Sequence, residues 1–220
     1  MLLLALDTSA AAVTVALHDG VHVVAELTEP GARAHGERLA PLLAEVLELA
    51  GAAPRQLTSL AVGVGPGPFT GLRVGLVTAR VMALALGIEV GGVCSLDALA
   101  WQAHNGGAVA EPFAVATDAR RGEVYLAEYD ADAVRQEGPR VIRPGELPER
   151  VRRGPVVGAG ALANPADFVD AREPALVTGA AVATFAVGVL QAGYELSEPA
   201  PLYLRRPDAT PATGRKPVLT

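Results

Sequence analysis

Lysine is nearly missing from this chain of 220 residues: Lys and Arg together number 18, and all but Lys216 are Arg. A phosphate-binding loop of the Walker type, which sets an ammonium group against nucleotide phosphates, therefore has no lysine to use ahead of the tail. Cysteine is reduced to Cys94, which excludes an internal disulfide and fits a reducing compartment. Aromatic residues make up 4% while apolar residues make up 50%, so a core must be built from Ala, Val and Leu. Long apolar runs are missing too. Stretches such as 2–6 and 81–86 fall far short of the roughly 20 residues that cross a bilayer. The first residues lack a basic start and meet Asp7 at once, which is not the pattern of a signal peptide. A cytoplasmic protein without a membrane partner is expected. Net positive charge is also lacking: the balance is −6, and Arg clusters only at 150–153 and 205–206. Unaided grip on a nucleic-acid backbone usually needs a basic face, so tight binding by this chain alone is not expected.

What is present alternates between strands and helices. Residues 2–6 form a short apolar run, and 13–17 and 21–26 follow as strands joined by His18-Asp19-Gly20, a strong hairpin signal. From 36 to 50, Leu39, Leu42, Leu43, Val46 and Leu47 recur at three- and four-residue steps and Gly51 stops the pattern, which predicts an amphipathic helix. A strand at 60–64 feeds the loop Gly65-Pro66-Gly67-Pro68-Phe69-Thr70-Gly71, with Thr70 as the expected cap of a helix over 72–86. A strand at 88–93 and a helix over 96–104, capped by Ser95, close the first half.

Beyond Asn105-Gly106-Gly107, strands at 113–117 and 123–129 make a hairpin through Asp118-Ala119-Arg120-Arg121-Gly122. A short strand at 155–157 and an Ala/Val helix near 184–191 complete a smaller half. In the Pro-rich tail, Leu202-Tyr203-Leu204 could dock on the body, and disorder is expected after Arg206. The division is a lobe at 1–105, a smaller lobe at 106–195 and a tail at 196–220. The fold class is α/β, with two ribonuclease-H-like lobes resembling the actin-like and sugar-kinase ATPase superfamily, the second lobe reduced.

Four segments carry a more specific resemblance. They are Leu4-Ala5-Leu6-Asp7-Thr8-Ser9, His35-Gly36-Glu37-Arg38-Leu39-Ala40-Pro41-Leu42-Leu43, the loop from Gly65 through Leu72 and Arg73, and Asp118-Ala119-Arg120-Arg121-Gly122-Glu123-Val124-Tyr125. In this order the chain resembles the TsaB (YeaZ) family, partner subunit of the complex that installs threonylcarbamoyl on an adenosine of tRNA. The resemblance implies a non-catalytic subunit that pairs with a catalytic paralogue, TsaD. It also implies a P-loop-type ATPase, TsaE, in the complex, contact with tRNA only within that complex, and a homodimer through the same surface.

The residues agree with a chain that does no chemistry. The catalytic relatives hold a metal with two His one helical turn apart; here His35 is followed four residues on by Leu39, and an apolar side chain cannot coordinate. His18 and His22 have that spacing but flank a hairpin turn. Pro66 and Pro68 withhold the N–H donors that a phosphate cradle uses. No catalytic, metal or cofactor residue is expected, a nucleotide being expected only at the joint of the assembled complex. Asp7 is expected to be structural, and Arg73, a cation in a first helical turn, to pair with a carboxylate such as Asp7 or Glu37 or with a partner group. The expected partner interface comprises His35, Leu39, Leu42, Val46, Leu72, Arg73, Gly75, Val77, Ala79 and Ala83, with core packing as the default for any single one. The small residues Gly75, Ala79 and Ala83 would let a second helix approach. Arg120 and Arg121 are either an exposed polar turn or a contact to tRNA or partner. The alternatives are a stand-alone kinase-like or peptidase enzyme and a weak nucleotide-binding scaffold.

Overall fold

Every residue of Leu3–Asp7 (β1) and Ala12–His18 (β2) is buried, as strands covered on both faces must be. The computed structural model describes residues 1–31 and 35–205, the side chain of His35 excepted. In it β1 and β2 pair antiparallel, and Val23–Pro30 (β3) adds a more exposed edge. Ser59–Gly65 (β4) and Glu89–Cys94 (β5) join parallel on the other side, giving the order β3-β2-β1-β4-β5.

Alternation along β1 divides the core into two layers. Leu4 and Leu6 face His35–Leu49 (α1) and Phe69–Leu86 (α2), where Leu39, Leu42, Val46, Leu72 and Leu76 complete one cluster. Leu3 and Ala5 face the other way, toward Ser95–Asn105 (α3) and Gly179–Gln191 (α6), in a cluster rich in Ala and Val. The scarcity of aromatics is met by close approach of small side chains, including Ala98, Ala100, Ala103, Ala181, Ala183 and Ala186.

Phe113–Asp118 (β6), Val124–Tyr129 (β7) and Arg135–Ile142 (β8) form an antiparallel meander. Pro155–Val157 (β9) and Asp170–Arg172 (β10) extend it in parallel. Its order is β8-β7-β6-β9-β10, so both sheets have the pattern 3-2-1-4-5 with the same strand directions. Two lobes of one α/β topology are present, and the second is the reduced one: Glu149–Arg153 (α4) and Ala159–Leu162 (α5) are only 5 and 4 residues long. One face of the second sheet closes over Leu147, Val151 and Phe168, and the other meets α3 in the shared Ala/Val core.

Four expectations are corrected. Helix α2 begins at Phe69 behind Pro68, so Thr70 lies inside its first turn and caps nothing. Helix α3 begins at Ser95, whose hydroxyl is used elsewhere. Strand β8, Arg-Gln-Glu-Gly-Pro-Arg-Val-Ile, extends the expected second-lobe hairpin to three strands, and its exposed to half-buried residues carry no apolar alternation that would mark it in the sequence. Helix α6, late in the chain, packs on β1, β2 and β3 of the first sheet. The tail expectation holds at Leu202, whose N–H donates to the Val64 carbonyl at 2.9 Å. The residues after Arg205 lie outside the described ones. By length and composition α2 is the one described helix that could cross a bilayer, yet Leu72, Leu76, Ala79 and Ala83 are buried against the sheet and Arg73 and Arg80 are exposed.

Candidate functional site: a closed turn beside an exposed helix face

Asp7 ends β1 and is 1% exposed. One carboxylate oxygen, Oδ1, accepts the Ser9 N–H at 2.6 Å, and Oδ2 accepts the Ser95 hydroxyl at 2.5 Å. The Thr8 hydroxyl donates to the Gly71 carbonyl at 2.7 Å. Three glycines let neighbouring elements close on this turn. A Cβ at Gly63 would fall 1.8 Å from Asp7 Oδ2, one at Gly67 2.2 Å from the Ser9 carbonyl oxygen, and one at Gly75 2.4 Å from Thr8 Oγ1. The 65–71 loop is thus packed onto the 7–9 turn, and Asp7 is a satisfied buried carboxylate that fixes β1, α3 and the turn together. Beside it, between the lobes, lies a cavity of about 240 Å³ lined mainly by apolar groups, among them Pro66, Leu99, Leu176 and Val177, with Ser9 and Arg120 at its polar side.

The second lobe repeats the device in exposed form. Asp118 ends β6, and its Oδ1 accepts the Arg120 N–H at 2.7 Å. Arg120, Arg121 and Gly122 follow with φ of 64°, 57° and 70°. Two left-handed arginines cost about 1 kcal/mol each relative to glycine. Both side chains reach solvent, and Arg120 pairs loosely with Asp118 at 3.7 Å.

The two first-lobe helices separate the expected interface residues sharply. Leu39, Leu42, Val46, Leu72, Gly75, Ala79 and Ala83 are buried in the chain's own core. The small-residue stripe of α2 faces β1 and the Thr8 turn, because the sheet needs that close approach; it does not face outward. The His35 side chain lies outside the described residues. Arg73 and Val77 are on the exposed face, and the structure adds Val81 and Leu84 to them, with Val77 59%, Val81 59% and Leu84 85% exposed. Arg80 and Ala85 flank this stripe, and Glu45, Glu48 and Leu49 are exposed on α1.

Arg73 meets neither Asp7 nor Glu37. Its guanidinium lies 3.7 Å over the Phe69 ring, and its Nε donates to the Tyr203 hydroxyl at 3.1 Å, while Phe69 and Tyr203 stack at 4.9 Å. Tyr203 lies outside the expected interface set, although one aromatic in an otherwise Pro- and Leu-rich tail is a readable signal. His18 accepts the Gly20 N–H at Nδ1 (3.0 Å) inside the predicted hairpin, and burial lowers its pKa. Among the described residues no three His, Cys, Asp or Glu side chains converge as metal ligands would.

A family model described as TsaD, tRNA N6-adenosine threonylcarbamoyltransferase, matches residues 23–154. An uncharacterized protein of Mycobacterium tuberculosis is 42% identical over 216 residues, covering 94% of this chain and 93% of that protein. The Escherichia coli tRNA threonylcarbamoyladenosine biosynthesis protein TsaB is 35% identical over 157 residues, 70% of this chain and 67% of its own. The solved structure of YeaZ from Pseudomonas aeruginosa superimposes with a TM-score of 0.80 at 28% identity, covering 92% of this chain and 99% of that one.

Proposed function

The chain belongs to the TsaB/YeaZ family, and from that premise we propose that it is the non-catalytic, activating subunit of a tRNA threonylcarbamoyladenosine synthesis complex, docking on a TsaD subunit. The observation that carries this reading is the outward stripe Val77, Val81 and Leu84 on α2. Three large apolar side chains one helical turn apart on a rigid helix are the form of an association surface, since water is poorly served by a continuous apolar strip. Exposed Glu45 and Glu48 on α1 and exposed Arg73 and Arg80 on α2 supply both signs of charge, so a second copy of the chain is a competitor of the paralogue for this face.

The first-lobe turn supports a role without chemistry. Asp7 has both oxygens engaged by protein donors, and the glycine loop occupies the space in which a phosphate would approach. The Asp7 carboxylate and the Thr8 hydroxyl are thus both engaged within the chain. The chain acts by presenting a folded face that holds the catalytic subunit in its active arrangement, in the cytoplasm where tRNA, TsaE and the activated threonylcarbamoyl donor are available. Arg120 and Arg121, exposed on the second-lobe turn, contact tRNA or the partner within the complex under this reading.

The test is reconstitution with TsaD, TsaE, threonylcarbamoyl-AMP and unmodified tRNA, with this chain omitted, present, or carrying Val77→Glu with Leu84→Glu. The expected result is modification only with the native chain, no turnover by the chain alone, and a folded double variant that neither binds TsaD nor supports modification. Equal modification without the chain refutes the reading.

A further inference from the structure

Residues 195–205 leave α6 and run along the open edge of the first sheet. Ser197 forms a bridge with Gly92 of β5, and a Cβ at Gly91 would lie 2.3 Å from the Leu196 Cβ, so the edge strand has been shaped to receive this segment. Leu202 then packs against both the first-lobe helix-side core and the inter-lobe core while its N–H bonds the Val64 carbonyl. Three side chains follow with three separate attachments. Tyr203 stacks on Phe69 and accepts a hydrogen bond from Arg73, Leu204 packs on the inter-lobe core, and Arg205 forms an ion pair with Glu123 at the base of the second-lobe hairpin. The Arg205 and Glu123 side chains are only 23% and 24% exposed, so this pair is sheltered from solvent screening.

The position of these attachments matters. Arg73, Val77, Val81 and Leu84 succeed one another at steps of three or four on the outer face of α2, and Tyr203 is seated at the Arg73 end of that row with 41% of its surface exposed. An aromatic ring and a guanidinium braced by a second ring form the residue chemistry that most often anchors a protein interface, because they bring large contact area with little freedom left to lose. We propose that residues 201–205 are a strap that ties the second-lobe hairpin to the first turn of α2 and supplies Tyr203, with Arg73, as the polar-aromatic anchor of the docking face. The inference rests on the reading of that face as the TsaD-binding surface. Tyr203 and Arg205 act differently: Tyr203 touches the partner, and Arg205 positions it through Glu123.

Full-length chain is titrated against TsaD by calorimetry, with hydrogen exchange of the free chain followed at residues 69–77. Tyr203→Ala is expected to weaken binding at least tenfold while the overall unfolding temperature stays near native. Arg205→Glu is expected to weaken binding severalfold and to speed exchange in the first turn of α2, and adding Glu123→Arg is expected to restore both. If Tyr203→Ala unfolds the chain, Tyr203→Phe, which removes only the hydroxyl, is expected to weaken binding measurably in a folded protein. Binding within twofold of native for the folded Tyr203 variant, or failure of the charge swap to restore Arg205→Glu, overturns the strap. The Val77→Glu with Leu84→Glu variant separates the two readings: if it abolishes binding while the strap variants bind normally, the docking face stands and the strap falls. If it too binds normally, the docking face itself is wrong.

Discussion

Asp7 and Asp118 occupy equivalent positions in the two lobes, and their fates differ. Each ends the first strand of its sheet, and each accepts the N–H of the residue two places on through Oδ1, at 2.6 Å and 2.7 Å. In the first lobe the turn is sealed by Ser95, by the 65–71 loop and by three glycines. In the second, the side chain of Asp118 is 57% exposed and its turn carries two left-handed arginines. One local motif thus serves as a buried clamp in one lobe and an open hairpin in the other. The difference is what packs against the turn. The first lobe keeps long helices, and the second has crossovers of 5 and 4 residues.

The largest effect expected from breaking this contrast is at the glycines. Gly67→Ala must displace the Ser9 backbone, with its Cβ 2.2 Å from a carbonyl oxygen, and is expected to cost about 3 kcal/mol or more, read as loss of folded protein in urea melts. Gly122→Ala has open space and only an unfavourable φ of 70°, so it should cost about 1 kcal/mol. Equal costs would show that the first-lobe turn is not packed as described.

Next comes the pair of carboxylates. Asp7→Ala leaves the Ser9 N–H and the Ser95 hydroxyl without an acceptor in the interior and is expected to lose about 2–4 kcal/mol. Asp118→Ala should stay within about 0.5–1 kcal/mol, since the lost acceptor is replaced by water. Chemical denaturation of both variants decides it.

A smaller effect separates how the lobes hold their buried carboxylates. Glu128 of β7 accepts from Arg140 at 2.7 Å and from Arg150 at 2.6 Å. Burial works against its charge, but the two guanidiniums outweigh it and its pKa falls below the ordinary 4.5. A depressed carboxyl pKa stabilises the fold above the unfolded value and loses that contribution as pH falls through the folded one. Acid titration below about pH 4.5 should therefore destabilise the native chain more steeply than Glu128→Gln. Identical acid profiles would remove the ion-pair account.

The least perturbing test concerns Cys94, where the lobes meet. Its Sγ accepts from Arg135 at 3.4 Å, beside Asp97 and Tyr129, and burial pushes the thiol up to about 12. A thiol reagent at pH 8 should therefore label it at the rate of unfolding and no faster. Prompt labelling of the folded chain would show that the joint between lobes opens.

Much of the fold was legible because local rules carried it. The Asp-Gly hairpin, the Leu39-to-Leu47 periodicity and the short strand-like runs at 113–117 and 123–129 around a polar turn each specify an element without help from distant residues. Strand β8 was not, since its residues are ordered by their neighbour β7 and not by their own pattern. The candidate site was read only in part. Arg73 and Val77 lie on the exposed face of α2, while the small stripe of that helix, for which core packing was the default and approach of a second helix the alternative, packs on the Thr8 turn.

The sequence by itself determined the order of strands and helices, the weakness of the second half and the family, because turn residues, periodicity and motif order are written in neighbouring residues. Only the tertiary structure decided which face of α2 is inside. That helix is apolar nearly all round, so its periodicity has no preferred side. The choice is made by steric fit, with Gly75 admitting Thr8 from a turn 67 positions earlier and leaving Val77, Val81 and Leu84 outward.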